Sequence, residues 1–308
     1  MDDELNVTYI TLNGYVDVQR FRYLYFLIMF TIYILIISFN VTIMCLIWIH
    51  KNLHEPMYIF IAALLLNSVL FSTTMYPKLL TDFLSEKQII SYSACLFQYF
   101  LYYTFSVSEF LLLAVMAFDR YVSICKPLQY PTIMKKTRVS SLLVLTWFVS
   151  ACHVVIPAIV SAKTKLCHFT IKGIYCNNVI YELQCVESRV VTLYGVVALV
   201  DIVVLPVLFI LFTYTKILLI AYRRGREVRK KTAETCLPHL LVLISFFSLS
   251  VYDISIARVE SNLSSTARFI MTLQIVLYHP LFNPLIYGLK MKEIYKHLKR
   301  LFCPTKII

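Results

Sequence analysis

The stretch that decides the fold is residues 109–131, EFLLLAVMAFDRYVSICKPLQYP. It opens with Glu109 inside a long apolar run and then reaches an adjacent acid and base, Asp119 and Arg120, followed by Tyr121. Pro127 ends the helical pattern, because proline lacks the backbone donor that a helix interior needs. An acid–base pair at the end of a membrane helix can simply lie at the water boundary, so this pair by itself predicts no function.

The composition is typical of a membrane protein. Hydrophobic residues make up 59% of the 308 residues and charged residues 15%, whereas soluble domains carry about 25% charge. The net charge is +12. The basic residues lie between hydrophobic runs, which indicates a membrane surface as the partner and argues against nucleic acid. Scattered His and Cys residues and only five glycines, with no phosphate loop or nucleophile elbow, speak against an enzyme, a metal site or a cofactor.

Seven runs are long and apolar enough to cross a bilayer, which takes about 20 residues. They are residues 23–49, 57–77, 95–118, 139–160, 190–215, 235–252 and 269–289. The runs predict an all-α membrane protein, with a seven-transmembrane-helix bundle over 23–289 and an extracellular N-terminal segment of 1–22. Residues 290–302 read KMKEIYKHLKRLF, and in a helix Ile294, Leu298, Leu301 and Phe302 share one face while the lysines lie on the other. Residues 290–308 are therefore predicted as a short amphipathic C-terminal helix and tail on the inner leaflet.

The distribution of Lys and Arg predicts the orientation. With the N-terminus outside, most of these residues fall on the inner side, as the positive-inside rule requires. The triplet Asn6-Val7-Thr8 is a glycosylation acceptor that fits an outer N-terminus. We therefore expect a multi-pass protein of the plasma membrane with an extracellular N-terminus.

Four of the nine cysteines fall on the outer side in this topology. They are Cys95, Cys167, Cys176 and Cys185. An oxidising compartment favours disulfides there. Four cysteines allow three pairings, and the residues alone do not choose among them.

Polar residues within the spans are the next functional candidates, because such residues are costly in lipid. They include Asn67 and Glu109, and also Asp201, for which the sequence indicates no partner. In the last span, residues 280–287 read PLFNPLIY. Proline leaves a backbone carbonyl without its donor, and Asn283 can supply one, so we expect a bend at a hydrated polar spot. A simple kink is the alternative.

Four motifs in order resemble those of vertebrate odorant receptors, within the rhodopsin-like G-protein-coupled receptors. They are LHEPMY at 53–58, MAFDRYVSICKPLQYPTIM at 116–134, KTAETCLPHL at 231–240 and NPLIY at 283–287. Pro238 departs from the commonest family form, which has serine there. The resemblance covers roughly residues 20–303.

The resemblance assigns roles to residues at the inner end of the bundle. It implies that one set acts in activation and in contact with the G protein: Asp119, Arg120, Tyr121, Tyr214, Asn283, Pro284 and Tyr287. It also implies the disulfides Cys95–Cys176 and Cys167–Cys185. The family usually has an aspartate at the Asn67 position, facing the Glu109 carboxyl across a cation or proton site. Asparagine there puts a sodium site in doubt and allows a protonated Glu109.

Two sets of residues are predicted to bind the ligand. On the third helix, Tyr99, Tyr102, Tyr103 and Ser106 share a face by spacing, and the resemblance places that face in the pocket, with core packing as the alternative. Tyr102 stands where amine receptors carry an aspartate, which disfavours an amine bound in that way. On the sixth helix, Arg258 shares a face with Ile254, Val251 and Phe247, a set suited to a small carboxylic acid. Snorkelling of Arg258 to headgroups, or pairing with Asp253 or Glu260, is the alternative.

The expected function is that of an odorant receptor. It binds a small molecule in the outer half of the bundle and activates a heterotrimeric stimulatory, olfactory-type G protein to raise cyclic AMP. A receptor of the same fold used outside olfactory tissue is the alternative. A transporter or channel is disfavoured because the sequence shows neither internal repeats nor charge-lined spans.

Overall fold

The computed structural model describes residues 8–186, 189–256 and 264–302. Its main body is a bundle of seven helices that are long and apolar enough to cross a membrane. The helices are α1 (Val18–Ile49), α2 (Pro56–Leu84), α3 (Tyr92–Cys125), a short α4 (Tyr130–Ile133), α5 (Lys136–Lys163), α6 (Arg189–Ala198), α7 (Leu205–Arg223), α8 (Arg226–Ile256), α9 (Ser265–Lys290) and α10 (Lys292–Phe302). The fifth span consists of α6, a π-helical turn at Leu199–Val204, and α7. The prediction of seven spans is confirmed.

The spans extend beyond their predicted limits because charged residues join them. α1 begins at Val18 instead of residue 23, and α2 continues to Leu84 instead of residue 77. The extra turns of α2 hold Lys78 and Asp82, which form an ion pair one helical turn apart. A pair at this spacing supports a helix, so the two charges do not end the span. We call the end of the bundle nearest the N-terminal strand the outer end, following the predicted orientation.

α3 lies at the centre of the bundle. It packs against α2, α5, α7 and α8, and its buried residues run along its whole length from Cys95 to Val122. The side chain of Ser91 caps its first turn by accepting a hydrogen bond from the backbone N–H of Ala94, at 3.3 Å. Residues on several faces of α3 can therefore contact other helices.

A small three-stranded sheet covers the outer end, which the sequence did not predict. β1 (Tyr9–Leu12) lies between β2 (Ile89–Ser91), with which it is antiparallel, and β3 (Thr170–Ile171), with which it is parallel. Beyond β1, the backbone N–H of Gly14 donates to the carbonyl of Gly173 at 3.1 Å. A Cβ atom on Gly14 would lie 2.5 Å from the carbonyl carbon of Gly173, so this close approach requires glycine.

Two disulfides fasten the second outer loop. One joins Cys95, at the outer start of α3, to Cys176, and the other joins Cys167 to Cys185 within the loop. These are the two pairs that the family resemblance implies. Ile10 and Leu12 of β1 pack into the buried cluster that contains Cys95 and Cys176, so the N-terminal strand and the loop form one outer layer.

α10 follows α9 after a bend at Met291 and runs along the inner end of the bundle. Ile294 is fully buried, and Leu298 packs against the same core. The lysines and Arg300 lie on the opposite, exposed face. The amphipathic helix expected at 290–302 is therefore present from residue 292.

Candidate functional site

The acid–base pair at the inner end of α3 is buried. Asp119 is fully covered and Arg120 is 9% exposed. The guanidinium donates through Nε (3.0 Å) and a terminal NH2 to the Oδ2 oxygen of Asp119. The hydroxyl of Tyr130, on α4, donates to the other carboxylate oxygen at 2.8 Å. The alternative of a solvated pair at the water boundary is thus wrong, because the loop after α3 folds back and covers it.

Tyr130 remains a hydrogen-bond donor at physiological pH. Burial, and next the negative charge of the Asp119 carboxylate, raise the pKa of its phenol. Both oxygens of Asp119 are therefore occupied, and Arg120 is held against its own neighbour on the chain. Removing one partner of a buried, fully hydrogen-bonded charge strongly destabilises a protein.

A second polar contact joins three helices near the inner end. The hydroxyl of Tyr214 on α7 lies 2.5 Å from Nδ1 of His239 on α8, and Nε2 of His239 lies 2.9 Å from the carbonyl oxygen of Leu113 on α3. A carbonyl only accepts, so Nε2 carries the proton and Nδ1 accepts from Tyr214. Sequence reasoning selected Tyr214 and missed His239. The sequence did contain an indication of this residue, because His239 lies within the 231–240 motif on the side of the helix that faces the core.

The third polar group lies deeper in the bundle, at the NPLIY motif of α9. The side-chain amide of Asn283 donates to Oε1 of Glu109 at 2.8 Å and to the hydroxyl of Ser68 at 3.2 Å. Glu109, Asn283 and Tyr287 are each at most 4% exposed, and Pro284 is buried. These side-chain hydrogen bonds connect α9 to α2 and α3.

The sequence predicted that Asn283 donates to the carbonyl that proline leaves without its backbone donor, and the structure shows a different donor. Pro284 removes the donor that would reach the carbonyl of Pro280. That carbonyl instead accepts from the side-chain amide of Asn40 on α1, at 2.8 Å. The prediction was wrong about the donor, because Asn40, 240 positions away along the chain, donates to this carbonyl instead.

Asn67 does not face Glu109, which corrects a second expectation. Its amide donates to the carbonyl of Phe105 at 2.9 Å, and its oxygen accepts from Nε1 of Trp147 at 3.2 Å. Its neighbour Ser68 occupies the place beside Asn283. Adjacent helix positions point about 100° apart, so a shift of one residue moves the polar group to another interface.

The aromatic residues selected on α3 lie beneath the outer layer. Tyr99 is 4% exposed and its hydroxyl lies 2.6 Å from that of Tyr181 in the second outer loop. The hydroxyl of Tyr103 accepts from the backbone N–H of Asn178 at 3.1 Å. The ring of Tyr102 packs 5.2 Å from that of Tyr175. The α3 tyrosines therefore contact the loop that roofs the bundle.

The remaining predicted residues have varied positions. The hydroxyl of Ser106 donates to the carbonyl of Tyr102 on its own helix, at 2.8 Å. Tyr121 is partly buried against the cluster that contains Tyr214. Phe247 and Val251 of α8 are 39% and 45% exposed. The side chain of Ile254, Arg258 and the sequon at Asn6 lie outside the described residues.

A cleft of about 450 Å³ opens at the inner end, between α2, α8 and the bend from α9 to α10. Its buried floor includes Met57 and Met291, and its rim is charged. Lys292 of α10 pairs with Glu234 of α8, with 2.6 Å between Nζ and Oε2. Both side chains are well exposed, so this pair alone contributes little to stability.

The chain matches known proteins over most of its length. The family model described as "Olfactory receptor" matches residues 29–305. Human olfactory receptor 11A1 is 32% identical over 301 residues, covering 96% of this chain and 94% of that protein. Human olfactory receptor 2AT4 is 34% identical, covering 87% and 84%. The crystal structure of squid rhodopsin superposes with a TM-score of 0.72 at 16% identity, covering 90% of this chain and 79% of that one, and therefore supports the fold alone. The chain is a multi-pass membrane protein with seven spans and belongs to the olfactory receptor family, a family of non-enzymatic rhodopsin-like G-protein-coupled receptors.

Proposed function

We propose that this chain is an odorant receptor of the plasma membrane, with its N-terminus outside. It binds a small molecule in the outer half of the bundle and activates a stimulatory, olfactory-type G protein that raises cyclic AMP. The buried Asp119–Arg120 pair carries this proposal. In a member of this family, a charged residue held inside the inner end of the central helix is available to a partner only after the helices move.

Activation is a shift between two packings of the same bundle. α8 moves outward at its inner end and opens a cavity lined by Arg120, Tyr214 and Tyr287. The Tyr214–His239 hydrogen bond of the described arrangement opposes this movement, and the exposed Lys292–Glu234 ion pair adds little to it. The G protein binds the cavity after Arg120 leaves Asp119, and the inner cleft beside α10 changes shape at the same time.

The ligand site lies under the outer layer, against the tyrosines of α3. A sheet and a disulfide-bonded loop cover the outer end, which favours a small ligand over a protein. The buried aromatic faces of Tyr99 and Tyr102 favour an apolar body. A carboxylic acid is the ligand class we propose, with Arg258 as its bidentate partner and Phe247, Val251 and Ile254 along its tail.

A cyclic-AMP reporter screen tests the function. Cells that express the chain with a stimulatory G protein are exposed to small acids, amines, alcohols and aldehydes, with cells lacking the receptor as the control. We expect a saturable, receptor-dependent response to at least one compound. An ion current from the purified chain in liposomes without G protein would contradict the proposal and favour a channel.

A further inference from the structure

A histidine lies on the buried side of α10, beside apolar residues. His297 is 8% exposed and comes three residues after Ile294, which is fully buried against the bundle. The lysines and Arg300 of the same helix are exposed instead. An aliphatic side chain would fill this position without a polar group, so the imidazole adds a titratable group that packing does not require.

Two side chains at the inner end of α1 contact His297. The ring of His50, which caps the end of α1, lies 3.7 Å from the ring of His297, centroid to centroid. The side-chain amide of Asn52, in the 3-10 turn Lys51–Leu53, lies 3.3 Å from Nε2 of His297. An amide nitrogen only donates, so Nε2 accepts and the ring of His297 is neutral. His50 is held in place as well, because its Nδ1 donates to the carbonyl of Leu46 at 3.0 Å.

A proton on Nε2 of His297 opposes this contact. It places one N–H against another, that of the Asn52 amide, and it puts a positive charge on a buried ring. The charged and titratable neighbours that act on this ring include His50 of α1 and, on α10, Arg300, Lys296 and Glu293. Lys51 after α1 and Lys290 at the end of α9 are exposed and positive as well. Positive groups therefore outnumber the single carboxylate among these residues.

The direction of the pH effect follows from these surroundings. Burial, and next the neighbouring His50 and Arg300, lower the pKa of His297 below its ordinary value, although Glu293 acts the other way. The docked helix therefore binds fewer protons than the detached one. Its contact with α1 is fully stabilising above the ordinary histidine pKa and is lost as the pH falls through the lowered value.

We propose that protonation of His297 detaches the middle of α10 from the inner end of α1, so that the docking of this helix depends on the pH of the cytosol. The inference rests on the proposed orientation, which puts α10 on the cytoplasmic side, and it requires no ligand. α10 borders the inner cleft, and its Lys292 pairs with Glu234 of α8. A detached α10 therefore changes the surface beside the proposed G-protein cavity.

Hydrogen–deuterium exchange of the purified full chain in lipid nanodiscs tests the proposal, since amide exchange reports local opening. The backbone amides of α10 are followed at about one pH unit above and about one pH unit below the ordinary histidine pKa. Exchange times are corrected for the intrinsic effect of pH on amide exchange. We expect the protection of α10 to fall by about two- to tenfold at the lower pH, the range for one lost hydrogen bond. The amides of α3 are the internal control and should keep their protection.

Three variants identify the histidine that takes the proton. His297→Gln keeps an acceptor for the Asn52 amide and does not titrate, so its α10 should be equally protected at both pH values. Arg300→Gln removes a positive charge that opposes protonation and should move the loss of protection to higher pH. His54→Gln, at an exposed histidine that bonds to the carbonyl of Trp48, is the matched control and should behave as the parent.

The proposal is overturned if the parent is equally protected at both pH values, if the pH effect persists in His297→Gln, or if His54→Gln removes it. An Arg300→Gln receptor that loses protection at the same pH as the parent would also overturn it, because the charge next to His297 would then have no effect. The cyclic-AMP screen decides the receptor function separately, since the exchange measurement uses no agonist and no G protein.

Discussion

The hydroxyl of Tyr214 and Nδ1 of His239 lie 2.5 Å apart and join α7 to α8 inside the inner half of the bundle. The same histidine donates from Nε2 to a carbonyl of α3. These bonds hold α8 near the centre of the bundle, whereas the proposed active arrangement requires its inner end to move outward.

Tyr214→Phe should raise basal cyclic AMP. The change removes one buried hydrogen bond, worth about 0.5–1.5 kcal/mol. The ratio of resting to active receptor should therefore fall by about two- to tenfold. Tyr222→Phe, at an exposed position of the same helix (76%), is the matched control and should leave the basal signal unchanged. An unchanged basal signal in Tyr214→Phe at normal surface expression would contradict the restraint.

Arg120→Ala should reach the cell surface and fail to raise cyclic AMP, because the cavity for the G protein then lacks its charged group. Surface staining and the reporter are measured on the same cells. Arg138→Ala, on the exposed inner start of α5, is the control and should signal normally. Full signalling by Arg120→Ala would remove this residue from the mechanism.

Loss of the Cys95–Cys176 bond should abolish surface delivery and ligand response. This bond closes a loop of 81 residues, for which the chain-entropy contribution is about 4–5 kcal/mol. The Cys167–Cys185 bond closes only 18 residues, so Cys167→Ser should have a smaller effect, about 3 kcal/mol. Cys152→Ser, at an exposed free cysteine, should behave as the parent. Normal traffic and signalling by both Cys95→Ser and Cys176→Ser would show that the bond is dispensable.

Ser68→Asp should make the ligand response depend on sodium. The substitution places a second carboxyl next to Asn283 and Glu109, and two carboxylates at one site favour a cation. We expect agonist potency to differ by about fivefold or more between sodium and choline buffers, the usual scale of coupling between sites. Asn67→Asp is the control, because Asn67 faces Phe105 and Trp147 instead. Equal sodium effects in both variants would contradict the assignment.

Arg258→Ala should reduce the potency of an agonist acid by about thirtyfold or more, since a desolvated charge pair that loses one partner costs about 2–5 kcal/mol. The neutral ester of that acid should be weak on the parent receptor. A neutral or cationic best agonist, or an unchanged acid potency in Arg258→Ala, would refute the acid ligand. The receptor function would stand in that case.

The amino-acid sequence by itself determined the seven spans, the amphipathic C-terminal helix and the positions of the motifs. Each is encoded locally: about 20 apolar residues make a span, and apolar residues three or four positions apart with basic residues between them make an amphipathic helix. The family resemblance added the two cysteine pairs that the structure contains. Local patterns also selected Glu109, Tyr214 and Asn283, since polar residues inside apolar runs stand out.

Tertiary structure alone decided which of these residues meet. In the folded chain, Asn67 bonds to Trp147 and Ser68 to Asn283. Asn40 donates to the Pro280 carbonyl, and Tyr214 bonds to His239. The periodicity of one helix shows which of its residues share a face. The rotation of that face relative to another helix follows from the packing of many side chains on both, and a rotation of one residue, about 100°, changes every partner.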